Sequence, residues 1–217
     1  EKELLILSCF FPKLENKTPK ELEEHSGLSH EPVFRILKNL VRKGYLKENK
    51  IGKTNVYEFI FNDETYLVFT YFMTKQLNKF KNKHKKIFRV IKEFANSIES
   101  RCIVLFGSYA KSTEVLESDI DLLVVSTGKN ILKVASTFKT KYALTLRPAV
   151  VSPKDFKNIK KENPIFYNDL VEYGIVFYGF ESFFREVSKY IPSDVLYVYP
   201  FSSSVCMKAI CSGICSV

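Results

Sequence analysis

Two carboxylates, Asp119 and Asp121, stand one residue apart in "SDIDLLVVS", a stretch that otherwise reads as a buried strand. Side chains at i and i+2 share one face of a strand, so both acids point the same way. Close carboxylates repel and raise each other's pKa unless a cation lies between them. Mg²⁺ meets that need: it is a hard, oxygen-seeking ion that takes one or two carboxylates together with substrate phosphates, and Mn²⁺ accepts the same donors. Upstream, the apolar run Ile103–Phe106 stops at Gly107–Ser108 and a short helical stretch, "GSYAKS", follows. Strand, Gly-Ser and helix in that order suit a phosphate. Glycine lets the backbone approach closely, serine adds a hydroxyl donor, and a helix start presents unpaired N–H groups. Taken singly, a Gly-Ser turn is most often only a turn and a DxD most often a solvated strand end. The pair, spaced as G-S-x10-D-x-D, sets a phosphate cradle beside two cation ligands.

The elements that must position these residues follow from the periodicity after Ser100. "CIVLF" reads as a strand, "SDIDLLVVS" as a second and "ALTLRPAVVS" as a third, with "KNILKVASTFKTKY" a helix between the last two. "PKDFKNIK" and "PIFYNDLVEYG" read as helices, "GIVFYG" as a short strand and "ESFFREVSKY" as a closing helix. Alternating strands and helices of this length make a small α/β or α+β layer with a mixed sheet, and the whole chain reads as α+β. Ile120, Leu122 and Val124 are its expected core residues, on the face opposite the carboxylates.

"GSYAKS" and "ESDIDLLV" resemble the G-S-[YF]-A-[RK] and S-D-[IVL]-D-[LF] motifs of the nucleotidyltransferase superfamily of DNA polymerase β, most closely its minimal stand-alone members. "NPIFYNDLVEYGIVFYG" is similar to the end of those domains, so the resemblance covers about residues 100–180. It implies a nucleoside triphosphate held by Gly107 and Ser108 and screened by Lys111. Asp119 and Asp121 would be the catalytic carboxylates that hold Mg²⁺ or Mn²⁺. The implied reaction moves a nucleoside monophosphate, AMP foremost, to a hydroxyl of a protein or nucleic acid. Minimal members of this kind often act as antitoxins, which makes a toxin one expected protein acceptor and leaves a homodimer open. In one respect the chain departs from the family. The next strand usually adds a third carboxylate, but "ALTLRPAVVS" has no Asp or Glu, and Arg147–Pro148 lie about where the acid is expected. Asp155, the nearest acid downstream, falls in the following helix. One metal can still bind, and slow or absent turnover is the expectation.

The chain carries a formal charge of +9, which points to a polyanionic partner. In residues 1–61, "KTPKELEEHSG" has Thr18 as cap, Pro19 at the first helical position and Glu21 three residues on, a capping box. Ser29 then caps a third helix with Val33, Ile36, Leu37, Leu40 and Val41 on one face. "YLKENKIGKTNVYEFIF" reads as a hairpin with a basic tip. Three helices followed by a two-stranded wing resemble a winged helix-turn-helix domain. That resemblance implies DNA as a partner, with Arg35, Lys38 and Arg42 in or beside the major groove and Lys50 and Lys53 on the adjacent backbone. Two alternatives stay open: a DNA-binding regulator whose transferase domain only senses nucleotide, and a protein-docking module.

Residues 62–100 read as a helical basic linker containing "KQLNKFKNKHKK", a solvated helix face or, alternatively, a phosphate contact. The transferase unit is expected over 101–190, with a tail at 191–217. With 46% hydrophobic and 26% charged residues the chain is globular rather than disordered. No apolar run reaches the roughly 18–20 residues of a membrane span, and no signal-peptide order is visible at the start, so no membrane partner and a cytoplasmic location are expected. The five cysteines are odd in number, against a secreted disulfide framework. Cys9 and Cys102 read as core thiols, while Cys206, Cys211 and Cys215 lack the paired spacing of a zinc site.

Overall fold

Four strands form a mixed sheet whose two faces are both covered by helices. The structure, a computed structural model, describes residues 1–116 and 118–188. The strands are β3 (Cys102–Phe106), β4 (Ile120–Val125), β5 (Leu146–Val151) and β6 (Ile175–Tyr178), in the order β5-β4-β3-β6. β3 pairs antiparallel with both β4 and β6, while β4 and β5 run parallel. A parallel pair needs a crossover, and helix α7 (Ile131–Tyr142) supplies it.

Ile103, Leu105, Ile120, Leu122 and Val124 face a core completed by α7 and by α5 (Lys85–Asn96), through Phe138, Val90, Ile91 and Phe94. The alternate residues Val104, Leu123, Val125 and Val176 face a second core under α8 (Pro153–Glu162), α9 (Pro164–Tyr173) and α10 (Phe180–Ser188). Burial on both faces is why β3 and β4 read as continuous apolar runs rather than alternating ones. A short helix, α6 (Gly107–Lys111), leaves the end of β3 directly.

The first 60 residues fold as α1 (Lys2–Ser8), α2 (Pro19–Ser26), α3 (His30–Arg42) and a hairpin of β1 (Leu46–Ile51) and β2 (Thr54–Phe59) around a third core. The Thr18–Glu21 capping box is present in both directions, and Gly27 ends α2 in the left-handed region, φ 69°. Ser29 occupies the N-cap of α3, but its side chain makes no capping hydrogen bond.

Residues 62–100 are helical, yet not one helix. α4 (Asp63–Lys83) and α5 break at His84, whose φ −126° and ψ 56° are non-helical. No glycine or proline marks the break. The imidazole is held between the rings of Phe80 and Tyr109, with centroids 4.8 and 5.6 Å away. The apolar residues of this segment also enter the cores: Phe69 and Met73 join one face of the sheet and Leu77 and Phe80 the other, while Val68 and Phe72 pack against the N-terminal core.

α4 therefore joins the two halves through aromatic contacts. Phe69 stands 5.8 Å from Phe11 and 5.0 Å from Phe184, ring centre to ring centre, and is almost fully buried. Truncating it removes packing that both halves share. Phe69→Ala should lower the unfolding free energy by about 3–5 kcal/mol. Urea denaturation of the full chain checks this, and a loss below about 1 kcal/mol would show that the site relaxes without a cavity.

Candidate active site

The end of β3 and the start of β4 lie side by side, so the Gly-Ser turn and the carboxylates meet. Phe106 pairs with Asp121 across the antiparallel ladder, and Gly107 follows at once. Gly107 has φ +70°, and a Cβ built on it would sit 2.3 Å from Asp121 Oδ2. The carboxylate thus fills the space that any other residue's side chain would need. Asp119 precedes β4 by one residue and is partly exposed.

On the other side of β4 the parallel register sets Arg147 beside Asp121 and Pro148 beside Leu122. Arg147 Nη2 donates to Asp119 Oδ2 at 2.7 Å. β5 is an edge strand, where a proline without an N–H is tolerated. Asp155 does not serve the pair. Its carboxylate accepts from Ser152 Oγ at 2.7 Å while its backbone N–H donates to the same hydroxyl, so it belongs to the cap of α8.

Burial pushes the Asp121 carboxyl above the usual carboxylate range. The Arg147 charge pulls against this and the neighbouring Asp119 adds to it. Among the described residues no group of three or more His, Cys, Asp or Glu could hold a metal. Two neighbouring carboxylates remain as candidate donors, a set that phosphate and water would have to complete. That donor set fits Mg²⁺, which keeps several waters and seldom sits in an all-protein cage.

Beside the pair a cavity of about 570 Å³ opens between α7 and β5, with Phe106, Asp121, Ala135, Lys139 and Arg147 among its walls. Its size lies within the usual range for small-molecule sites. Ser108 follows Gly107 at the start of α6 and is half-buried.

Lys111 points elsewhere. Its Nζ donates to Asp169 Oδ2 at 2.6 Å and lies 5.2 Å from the centre of the Tyr173 ring, so α6 is tied to α9. The hydrogen bond to Asp169 raises the lysine pKa. Sequence reasoning had no signal for this partner, which is 58 residues away. Nor did it find the Arg147–Asp119 ion pair, which depends on strand register.

Arg35, Lys38 and Arg42 share the exposed side of α3, and Lys50 and Lys53 are exposed at the hairpin tip. Two of these cations have local partners. Lys38 Nζ lies 4.4 Å over the Phe34 ring, and Arg42 donates to Asn39 Oδ1 at 2.7 Å. Cys102 is buried and Cys9 half-buried. The three tail cysteines lie outside the described residues. Among the described residues no helix is long and apolar enough to cross a membrane.

Residues 85–181 match the polymerase beta nucleotidyltransferase family. Three relatives from Methanocaldococcus jannaschii carry the name "Putative protein adenylyltransferase". MJ0604 is 34% identical over 98 residues, which cover 42% of the present chain and 96% of the relative. MJ0141 is 29% identical over 103 residues, covering 42% and 97%. MJ1305 is 35% identical over 86 residues, covering 35% of this chain, which spans only 56% of that relative's length. No solved structure matches the chain. The chain belongs to the polymerase beta nucleotidyltransferase family, and its matched segment begins at α5, inside the stretch expected as a linker. The family supports nucleotidyl transfer from a nucleoside triphosphate, usually with a divalent metal.

Gly107→Ala tests the close approach. It places a methyl group against the Asp121 carboxylate and forces a left-handed backbone on an L-residue, at a cost of at least about 1 kcal/mol. Thermal denaturation should show a lowered midpoint. An unchanged midpoint would mean that the turn and the carboxylate are not in contact in solution.

Proposed function

We propose that the chain transfers a nucleoside monophosphate, AMP foremost, from a triphosphate to a hydroxyl of a protein or nucleic acid. One observation carries this reading: the Asp121 carboxylate packed against the Gly107 turn, with Asp119 next to it. In this reading Gly107 and Ser108 bind the β- and γ-phosphates through backbone N–H groups and the serine hydroxyl. Asp119 and Asp121 hold Mg²⁺ or Mn²⁺, which, when bound, neutralises phosphate charge and orients the triphosphate. The acceptor oxygen bonds to the α-phosphorus as the bridging bond breaks and pyrophosphate leaves, and the acceptor proton passes to water. β5 has no carboxylate to take that proton, so slow or absent turnover is expected. Lys111 would reach a phosphate only by leaving Asp169. The relatives' naming as protein adenylyltransferases favours a protein acceptor, and a partner toxin suits that class.

Calorimetry on the wild type and on the Asp119→Asn/Asp121→Asn double variant tests the site. Mg²⁺-dependent ATP binding should be seen in the first and lost in the second, because removing both charges leaves the metal unheld. Binding that survives the double substitution would overturn the assignment. With α-labelled ATP and a whole-cell extract, slow labelling of an acceptor is the expected result, again absent in the double variant.

The cationic outer face of α3 favours a second role, duplex DNA binding by a winged helix-turn-helix unit in residues 1–61. Arg35 on α3 would approach the groove, with Lys50 and Lys53 on the flanking backbone. Arg35→Ala should weaken duplex binding more than Lys20→Ala on α2, in a fluorescence titration at fixed salt. Equal affinities would count against that placement.

A further inference from the structure

Arg147 joins the two acids in a way that the transfer reaction does not require. It stands in direct register beside Asp121 on the neighbouring strand, and its guanidinium is bonded to Asp119 at 2.7 Å. The arginine side chain already lies largely in solvent, 66% exposed against 28% for Asp119. The two carboxylates thus have a cation of their own before any metal arrives. An exposed pair of this kind is weak, able to compete for the acid yet readily displaced.

A divalent ion entering between the carboxylates meets that guanidinium as a like charge at close range. A triphosphate brought in with the ion changes the balance. Its oxygens offer the displaced, planar guanidinium a bidentate partner of higher charge than a single carboxylate. Arg147 also lines the cavity beside the pair, so the move requires only a change of rotamer. The residue then opposes the metal alone and supports the metal with its nucleotide.

We infer that Arg147 is a built-in counter-ion of the Asp119/Asp121 pair, which a divalent metal displaces and a triphosphate then captures, so that metal and nucleotide bind cooperatively through this one side chain. This rests on the assignment of the carboxylate pair as the metal site. The coupling is reciprocal, as any linkage between two ligands must be. It gives substitutions at position 147 opposite effects on the two forms of the ligand, which a purely structural role would not do.

The test is Mn²⁺ binding by electron paramagnetic resonance on the full chain, and binding of Mn²⁺ with α,β-methylene-ATP by calorimetry. The wild type is compared with Arg147→Ala, Arg147→Lys and Asp119→Asn/Asp121→Asn. Arg147→Ala should bind Mn²⁺ alone about fivefold more tightly and the Mn²⁺–nucleotide complex about fivefold more weakly. Arg147→Lys, which keeps the charge but not the bidentate fork, should restore the Mn²⁺ affinity of the wild type and recover the nucleotide only in part. Equal Mn²⁺ affinity in wild type and Arg147→Ala, or changes of the same sign for both ligands, would overturn the inference while leaving the carboxylate site intact. Mn²⁺ binding that the Asp119→Asn/Asp121→Asn variant retains, or that no variant shows with or without nucleotide, would overturn both.

Discussion

Carboxylate charge placed against a sheet buried on both faces is the constraint around which this site is arranged. β4 carries the apolar residues that fill two cores, and the acids stand at its start, Asp119 just before it and Asp121 within it. A carboxylate cannot enter such a core without a partner, so it must emerge where the strand ends. There Asp121 finds a gap only because residue 107 has no side chain. The same closeness that accommodates the acid brings the Gly107–Ser108 turn next to it. In the proposed reading, the phosphate and cation sites follow from how β3 and β4 pair.

The remaining structure keeps that meeting point in place. Helices on both faces hold β3 and β4 in register, and α6 is fixed on two sides. Tyr109 packs against His84 at the α4–α5 break, and Lys111 is tied to Asp169 on α9. Lys83 and Glu114 add an ion pair at 2.9 Å between the same break and the loop after α6. α4 contributes to both sheet cores and touches the N-terminal one. Its aromatic residues link the three-helix unit to the transferase unit, so the halves share packing rather than meeting at a flexible tether.

Much of this was legible in the residues. The strand and helix alternation after Ser100, the Thr18–Glu21 capping box and the G-S-x10-D-x-D spacing are local features, and local features are what periodicity and turn chemistry reveal. The break at His84 was not legible, because it arises from packing between Phe80 and Tyr109 and no helix breaker stands there. Residues 62–100 read as a linker because their basic run is conspicuous, while the apolar stripes of α4 and α5 face partners far away in sequence. The ion pairs Arg147–Asp119 and Lys111–Asp169 were hidden for the same reason. Each depends on register or on helix packing, which one sequence does not encode locally.

The most direct measurement of the central claim is the position of the metal. Crystals of the full chain grown with Mn²⁺ and α,β-methylene-ATP, with data collected at the manganese edge, locate the ion independently of any model of the site. An anomalous peak within bonding distance of both the Asp119 and Asp121 carboxylates, with the triphosphate lying over Gly107 and Ser108, is the predicted result. A manganese peak held by other side chains, or a triphosphate bound away from that turn, would contradict it.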